Sequence, residues 1–486
     1  CRVIRSWHFG RYRVTRSAEA RERLTELTPA LLKAFGETRR ADEALMRFDE
    51  FLAGLPAGVQ LFSLLQSNPA LLKMLATIMG AAPRLAAIIT RRPHVFDGLL
   101  DPGLLKDLPD RAYLSGRLAA FLDGDRNYEE VLDRLRIFAA EQKFLIGVRL
   151  LAGAIDPARA GRAFSDLADL TIGAALEAVT EEFAVRHGRV AGGKVALLGM
   201  GKLGSRELTA GSDVDLILLY DHDAEAEQSD GEKPLFSSQY FSRMTQRLIA
   251  AVSAPTAEGV LYELDLRLRP SGNKGPVATH VGAFVKYQRS DAWTWEHMAL
   301  SRARTIAGDA GLRALIEEEV AAVLALPRDA DKVKAEAADM RALIGEEKPP
   351  RDLWDIKLVH GGLIDLEFIA QVAVITGNVE QGVHVTGTAE VLARLGAGFV
   401  DAQARQELVE AYALYQALTQ MIRLCLTGDF DRNDVPPGLA DLLLAVTGLP
   451  DFTVLEAHLK ETAHRVRGHF GRLLPASRKK GSGRGL

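Results

Sequence analysis

Three short apolar runs, at 194–199, 214–220 and 259–268, interrupt a chain whose apolar residues otherwise recur three and four apart. Runs of this length suit strands. The flanking spacing, as in Leu24-Leu27-Leu31 or Tyr128-Val131-Leu132-Leu135-Phe138, suits helices packed along one face. A helix is expected at 237–252, where Phe241, Met244, Leu248 and Ile249 lie on one side. The fold class that follows is α+β and predominantly α-helical, with a small mixed sheet over about 190–310 between two helical regions. Prolines 56, 69, 83, 93, 102 and 109 break the first region into short helices, and one long helix follows Asn127. A joint falls at Pro349-Pro350. The expected domains are 1–125 (helical), 126–325 (carrying the strands), 326–476 (helical bundle) and a disordered basic tail at 477–486.

Charge and cysteine content narrow the function classes. Lys plus Arg is 60 against 64 Asp plus Glu, a net charge of -4, which argues against a large nucleic-acid surface. No apolar run reaches the ~18–20 residues of a membrane-spanning helix, so neither nucleic acid nor membrane is expected as a partner. Two cysteines, Cys1 and Cys425, are too few for a disulfide framework or a zinc site, and a reducing, cytoplasmic compartment is expected. The chain begins at Cys1 and reads as a piece of a longer polypeptide.

Two familiar motifs fail on context. Gly199-Met-Gly201-Lys-Leu-Gly204 follows a strand as a dinucleotide fingerprint should, but the eight residues before the acidic strand leave no room for a crossover helix. Gly188-Arg-Val-Ala-Gly-Gly-Lys194 resembles a P-loop, yet Val195 replaces the magnesium-binding hydroxyl and the segment precedes its strand.

The informative constellation is Gly204-Ser205, seven residues, then Asp213-Val214-Asp215-Leu216. In a strand the two aspartates project to one side while Val214 and Leu216 face the core. Carboxylates held so close repel unless a cation joins them, and hard oxygen donors suit Mg²⁺. The third run adds Glu263, Asp265, Arg267 and Arg269, expected to share one strand face as a metal ligand beside a phosphate clamp. The alternative is the solvent face of an edge strand. Asp365 and Glu367 lie two apart on an expected helix, so they diverge and form no metal pair.

Gly-Ser, Asp-x-Asp and a third strand acid resemble the DNA polymerase β nucleotidyltransferase superfamily. The longer strings 199–218 and 261–272, with Trp293-Thr-Trp-Glu-His297, Ser301-Arg-Ala-Arg304 and His360-Gly-Gly-Leu-Ile-Asp-Leu-Glu-Phe368, resemble the glutamine synthetase adenylyltransferase family over essentially the whole chain. That resemblance implies a polymerase β-like core and, for the adenylylating unit to which 292–304 is similar, transfer of AMP from ATP to a tyrosine of glutamine synthetase. It also implies that Asp213, Asp215 and Asp265 are catalytic and hold two Mg²⁺ ions. Gly204, Ser205, Ser212, Lys202, Arg267 and Arg269 are the implied nucleotide-binding residues, and PII signalling protein and glutamine the implied regulators. Glu296 and His297 are expected to pack, and His360 is left without a role. The competing readings are the family's phosphorolytic, AMP-removing unit, a PII uridylyltransferase, and a silent docking module.

Overall fold

Proline and asparagine start helices in the first region. Pro69 and Pro83 occupy the first helical positions of Pro69–Ala81 and Pro83–Arg91, where the missing amide costs nothing. The computed structural model describes residues 2–38, 40–93, 95, 108–380 and 385–476. Cys1, Pro102 and the expected tail at 477–486 lie outside the described residues. Asn127 begins α1 (Tyr128–Leu151) with a reciprocal cap, its side chain accepting from the Glu130 amide while Glu130 returns to the Asn127 amide. The single long helix expected after Asn127 is instead two. Asp156 caps α2 (Pro157–His187) through the Arg159 amide, and the restart folds α2 back onto α1.

The sheet contains β1 (Lys194–Gly199), β2 (Val214–Asp221), β3 (Leu264–Asp265), β4 (Ala278–His280) and β5 (Arg304–Gly308). Its order is β3-β2-β1-β5, with β4 also on β2. β1 runs antiparallel to β2 and β5, whereas β3 and β4 lie parallel to β2 along its outer edge. Antiparallel pairing of β1 with β2 bears out the rejection of the dinucleotide fold. The connection is α3 (Gly201–Gly204), a single turn, and a short loop. The long crossover that parallel β2–β3 pairing requires holds α4 (Ser237–Ser253), which packs against α2 beneath the sheet.

Two expectations about the sheet need correction. The run at 259–268 contributes only Leu264 and Asp265 to the ladder. The Arg269 amide donates to the Leu266 carbonyl and closes a turn, so Glu263, Asp265, Arg267 and Arg269 do not share an extended face. β4 and β5, short and set among helices, lie outside the three apolar runs that marked strands in the sequence.

α5 (Thr294–Leu300) precedes β5, and after the sheet come α6 (Ala330–Glu347), α7 (Leu363–Ile375), α8 (Ala402–Cys425) and α9 (Phe452–Leu473). Arg341 of α6 and Asp365 of α7 form an ion pair that is essentially solvent-free, and Asp365 also accepts from the Gly361 amide at 2.8 Å. Cys425 ends α8 in the core, where burial pushes its thiol up to about 12. Among the described residues no single helix is long and apolar enough to cross a membrane.

Candidate active site

The apolar alternation of β2 fixes the direction of its acids. Val214 and Leu216 are buried, so Asp215 between them emerges on the opposite face, with exposed Asp213 leading into the strand. Parallel pairing sets Val214 beside Leu264 and Asp215 beside Asp265. A carboxylate from residue 215 thus meets one from residue 265 across adjacent strands. Burial, then the Asp265 charge and more weakly that of Asp213, hold the Asp215 carboxyl above its ordinary range.

Asp265 is pulled the other way. Its oxygens accept from the Arg267 amide at 2.8 Å and from Arg267 Nε at 2.8 Å, and the guanidinium lowers its pKa. The Arg267 side chain is 72% exposed, so it can leave this contact without breaking a core. Arg269 is turned inward, donating to the Leu266 carbonyl at 2.7 Å and bracing the turn. Among the described residues no group of three or more His, Cys, Asp and Glu side chains is set to hold a metal ion. Asp213, Asp215 and Asp265 are an all-oxygen, partly solvated set of the donor type that a hard divalent cation takes, with Asp265 paired to Arg267.

Gly201 explains how the acid at 215 is approached. Its φ of +53° suits glycine, and a Cβ there would stand 2.4 Å from Asp215 Oδ2. Gly201→Ala is therefore expected to displace the carboxylate and lower turnover ~10–100-fold, because misplacement of a reacting group by ~1 Å costs about that much. Kinetics of the folded variant would check this, and unchanged turnover would remove Gly201 from the site.

The other glycine-turn residues face elsewhere. Ser205 is buried, its hydroxyl donating to the Gly201 carbonyl at 3.1 Å and accepting from Arg302 at 2.9 Å. It lines a cavity of ≈ 600 Å³ with Arg206, Arg304 and Thr386, while Asp213, Asp215 and Asp265 do not border that space. At Gly204 a Cβ would fall 1.8 Å from the Arg302 carbonyl, so close backbone packing explains this glycine. Ser212 pairs with Thr209 Oγ1 at 2.8 Å and accepts from the Thr209 amide, closing the turn before Asp213. Lys202 points toward α7 and α8 beside Glu367 and Tyr412, where burial lowers it to about 8. The structure thus gathers Asp213, Asp215, Asp265, Arg267 and Gly201, and sets Ser205, Lys202 and Arg269 apart from them.

Sequence reasoning missed Arg302 and Lys357, whose charges reach Asp215 and favour its ionised form. Arg302 is buried between Ser205, Glu207 (3.2 Å) and Glu367 of α7 (3.0 Å). Only the string at 301–304 hinted at it, and nothing local marks Lys357. Asp365 and Glu367 diverge as expected, one to Arg341 and the other to Arg302. Glu296 accepts from Tyr287 and the Trp293 amide, and His297 meets the Gln288 carbonyl, so both pack.

A family model for glutamate-ammonia ligase adenylyltransferase matches residues 72–319, and one for GlnD PII-uridylyltransferase matches residues 338–474. The chain is 82% identical over 478 residues to the bifunctional glutamine synthetase adenylyltransferase/adenylyl-removing enzyme of Mesorhizobium japonicum, covering 98% of this chain and 48% of the relative. Proteins of the same description from Brucella suis and Bradyrhizobium sp. are 65% and 43% identical, covering 98% and 97% of this chain and 48% of each relative. The chain therefore spans about half the length of the curated relatives it matches.

Proposed function

The chain belongs to the glutamate-ammonia ligase adenylyltransferase family, and from that premise we propose that it transfers AMP from ATP to a tyrosine of glutamine synthetase. The carrying observation is the register of Asp215 with Asp265, joined by Asp213, above a backbone turn that only glycine allows. In the proposed reaction the tyrosine oxygen attacks the α-phosphorus in line, the bond to the bridging oxygen breaks, and pyrophosphate leaves with the electron pair. Asp213, Asp215 and Asp265 would hold Mg²⁺, which would supply charge neutralisation and a lower hydroxyl pKa. Asp265 receives the phenolic proton. Arg267, exposed and able to exchange partners, turns from Asp265 to the phosphate oxygens. Lys202, Gly204, Ser205 and Ser212 contribute by shaping the loop between β1 and β2, and Arg269 by fixing the turn after β3.

Adenylylation, in preference to AMP removal, is supported by the likeness of 292–304 to the adenylylating unit. The PII-uridylyltransferase match covers helices that carry none of the three acids, so it does not bear on nucleotide choice. It supports placing the response to PII protein and glutamine in the C-terminal helical region. ATP with Mg²⁺ is expected to raise the melting temperature by RT ln(1 + [L]/Kd) worth of stability. Equal or greater protection by UTP under the same conditions would favour uridylyl transfer.

The third acid can be ranked within this reading. Asp265→Asn is expected to lose activity as severely as a β2 aspartate variant, while Glu263→Gln, an exposed side chain outside the ladder, should be mild. Steady-state kinetics of the two variants checks the ranking, and the reverse order would move the ligand to Glu263.

A further inference from the structure

Behind the strands that carry the acids, Lys143 and Arg84 share a cavity in which, among the described residues, neither forms an ion pair. Lys143 of α1 donates to the Leu261 carbonyl at 3.0 Å and lies 3.7 Å from the Tyr262 ring centre. Arg84, from the helix Pro83–Arg91, rests its guanidinium on the backbone of Gly211, 2.7 Å from where a Cβ would stand. Its one hydrogen bond among the described residues is to the Leu426 carbonyl at 3.4 Å, and its Nε is buried without a partner. Arg136, two helical turns before Lys143 on the same face of α1, also has a buried, unpartnered Nε. These three cations line a cavity of ≈ 200 Å³ between the first helical region and the sheet domain, with Glu258, Leu85, Ala139 and Leu261 also in its wall.

The nearby acids relieve only Arg136. Glu258 lies on the cavity wall but is engaged by Arg92 at 2.5 Å, and Asp133 stands 3.7 Å from Arg136. Among the described residues neither Arg84 nor Lys143 forms an ion pair. Like charges dominate the pair's surroundings, Arg84 acting on Lys143 and Arg423 on Arg84. Burial and Arg84 together lower Lys143 to about 7. Cations gathered partly out of water with little counter-charge are costly, and an anion among them reduces that cost.

We propose that this cavity binds a small oxyanion, a phosphate or carboxylate ion, between Lys143, Arg84 and Arg136. A space of ≈ 200 Å³ suits such an ion with a few waters. Gly211 lies just before Asp213, and Leu261 just before Asp265, so the bound ion would brace both segments that deliver the acids.

The test is thermal unfolding and calorimetric titration of the whole chain with inorganic phosphate and, separately, malonate, against chloride at matched ionic strength. A saturable rise in melting temperature is expected with at least one of them, phosphate identifying a tetrahedral ion and malonate a carboxylate. Lys143→Met should weaken that binding at least ~10-fold, as loss of one charge-assisted hydrogen bond does. Asp215→Asn should retain it, which separates this cavity from phosphate binding at the acids. Where Lys143→Met does not fold, Arg84→Gln gives the same reading. No saturable response beyond that of chloride, or an unchanged response in the cation variants, overturns the proposal.

Discussion

Asp215→Asn is expected to lower AMP transfer at least ~100-fold while the fold persists, since even outer-shell changes at metal sites cost ~10–100-fold. Asparagine keeps the shape and removes the charge. The ionised Asp215 is disfavoured by burial and by Asp265 and Asp213, so its neutral replacement should leave the melting temperature unchanged or raised. The sign fixes the pH dependence. A carboxyl whose folded pKa lies above its unfolded value lends stability that is full below the unfolded value and is lost as pH rises through the folded one. Wild-type protein should therefore lose stability over that window above the ordinary carboxylate range, and Asp215→Asn should not. Asp213→Asn should also lose at least ~100-fold in activity, for the same reason. Denaturant unfolding at two pH values, paired with turnover at saturating Mg²⁺, measures both effects. Near-normal turnover of either variant would dismiss the acid triad.

The largest stability effect is expected at Asp365. Asp365→Ala leaves Arg341, essentially solvent-free, facing two backbone carbonyls and no acid, and removing one partner of such a buried pair costs ~3–5 kcal/mol. The Gly361 amide loses its acceptor as well. Replacing both partners with apolar residues, as in Arg341→Met with Asp365→Leu, should recover much of the loss, because no buried charge remains and Arg467, which also pairs with Asp365 at 3.4 Å, is open to solvent. Because α7 also supplies Glu367 to Arg302, the single variant should loosen the loop at Ser205 and Glu207. Chemical denaturation of the single and double variants decides it. A single variant within ~1 kcal/mol of wild type would show the pair to be solvated.

The helical majority, β1, β2 and the acid pair were legible because each rests on local pattern. Period-3.6 spacing, the Asn127 cap and the alternation around Asp215 need no distant partner. β3 was overread because alternating Glu263 to Arg269 looks extended until the turn at Leu266–Arg269 closes it. β4 and β5 escaped because each pairs with a strand far away in sequence. Ser205 illustrates a different limit. Gly-Ser before Asp-x-Asp marks a loop correctly, but which glycine meets the carboxylate depends on how a single helical turn is seated. Arg302, from the turn just before β5, then occupies the serine. Lys357 and Glu367 come from a region more than a hundred residues away, where no spacing rule applies.

The central claim is the direction of adenylyl transfer, and paired assays on one preparation test it most directly. Incubated with labelled ATP, Mg²⁺ and unmodified glutamine synthetase, the chain should place labelled AMP on a tyrosine and release pyrophosphate. Incubated with adenylylated glutamine synthetase and orthophosphate, it should form no ADP. Robust ADP formation in the second assay, with no AMP attached in the first, would contradict the account and assign the chain to the AMP-removing unit.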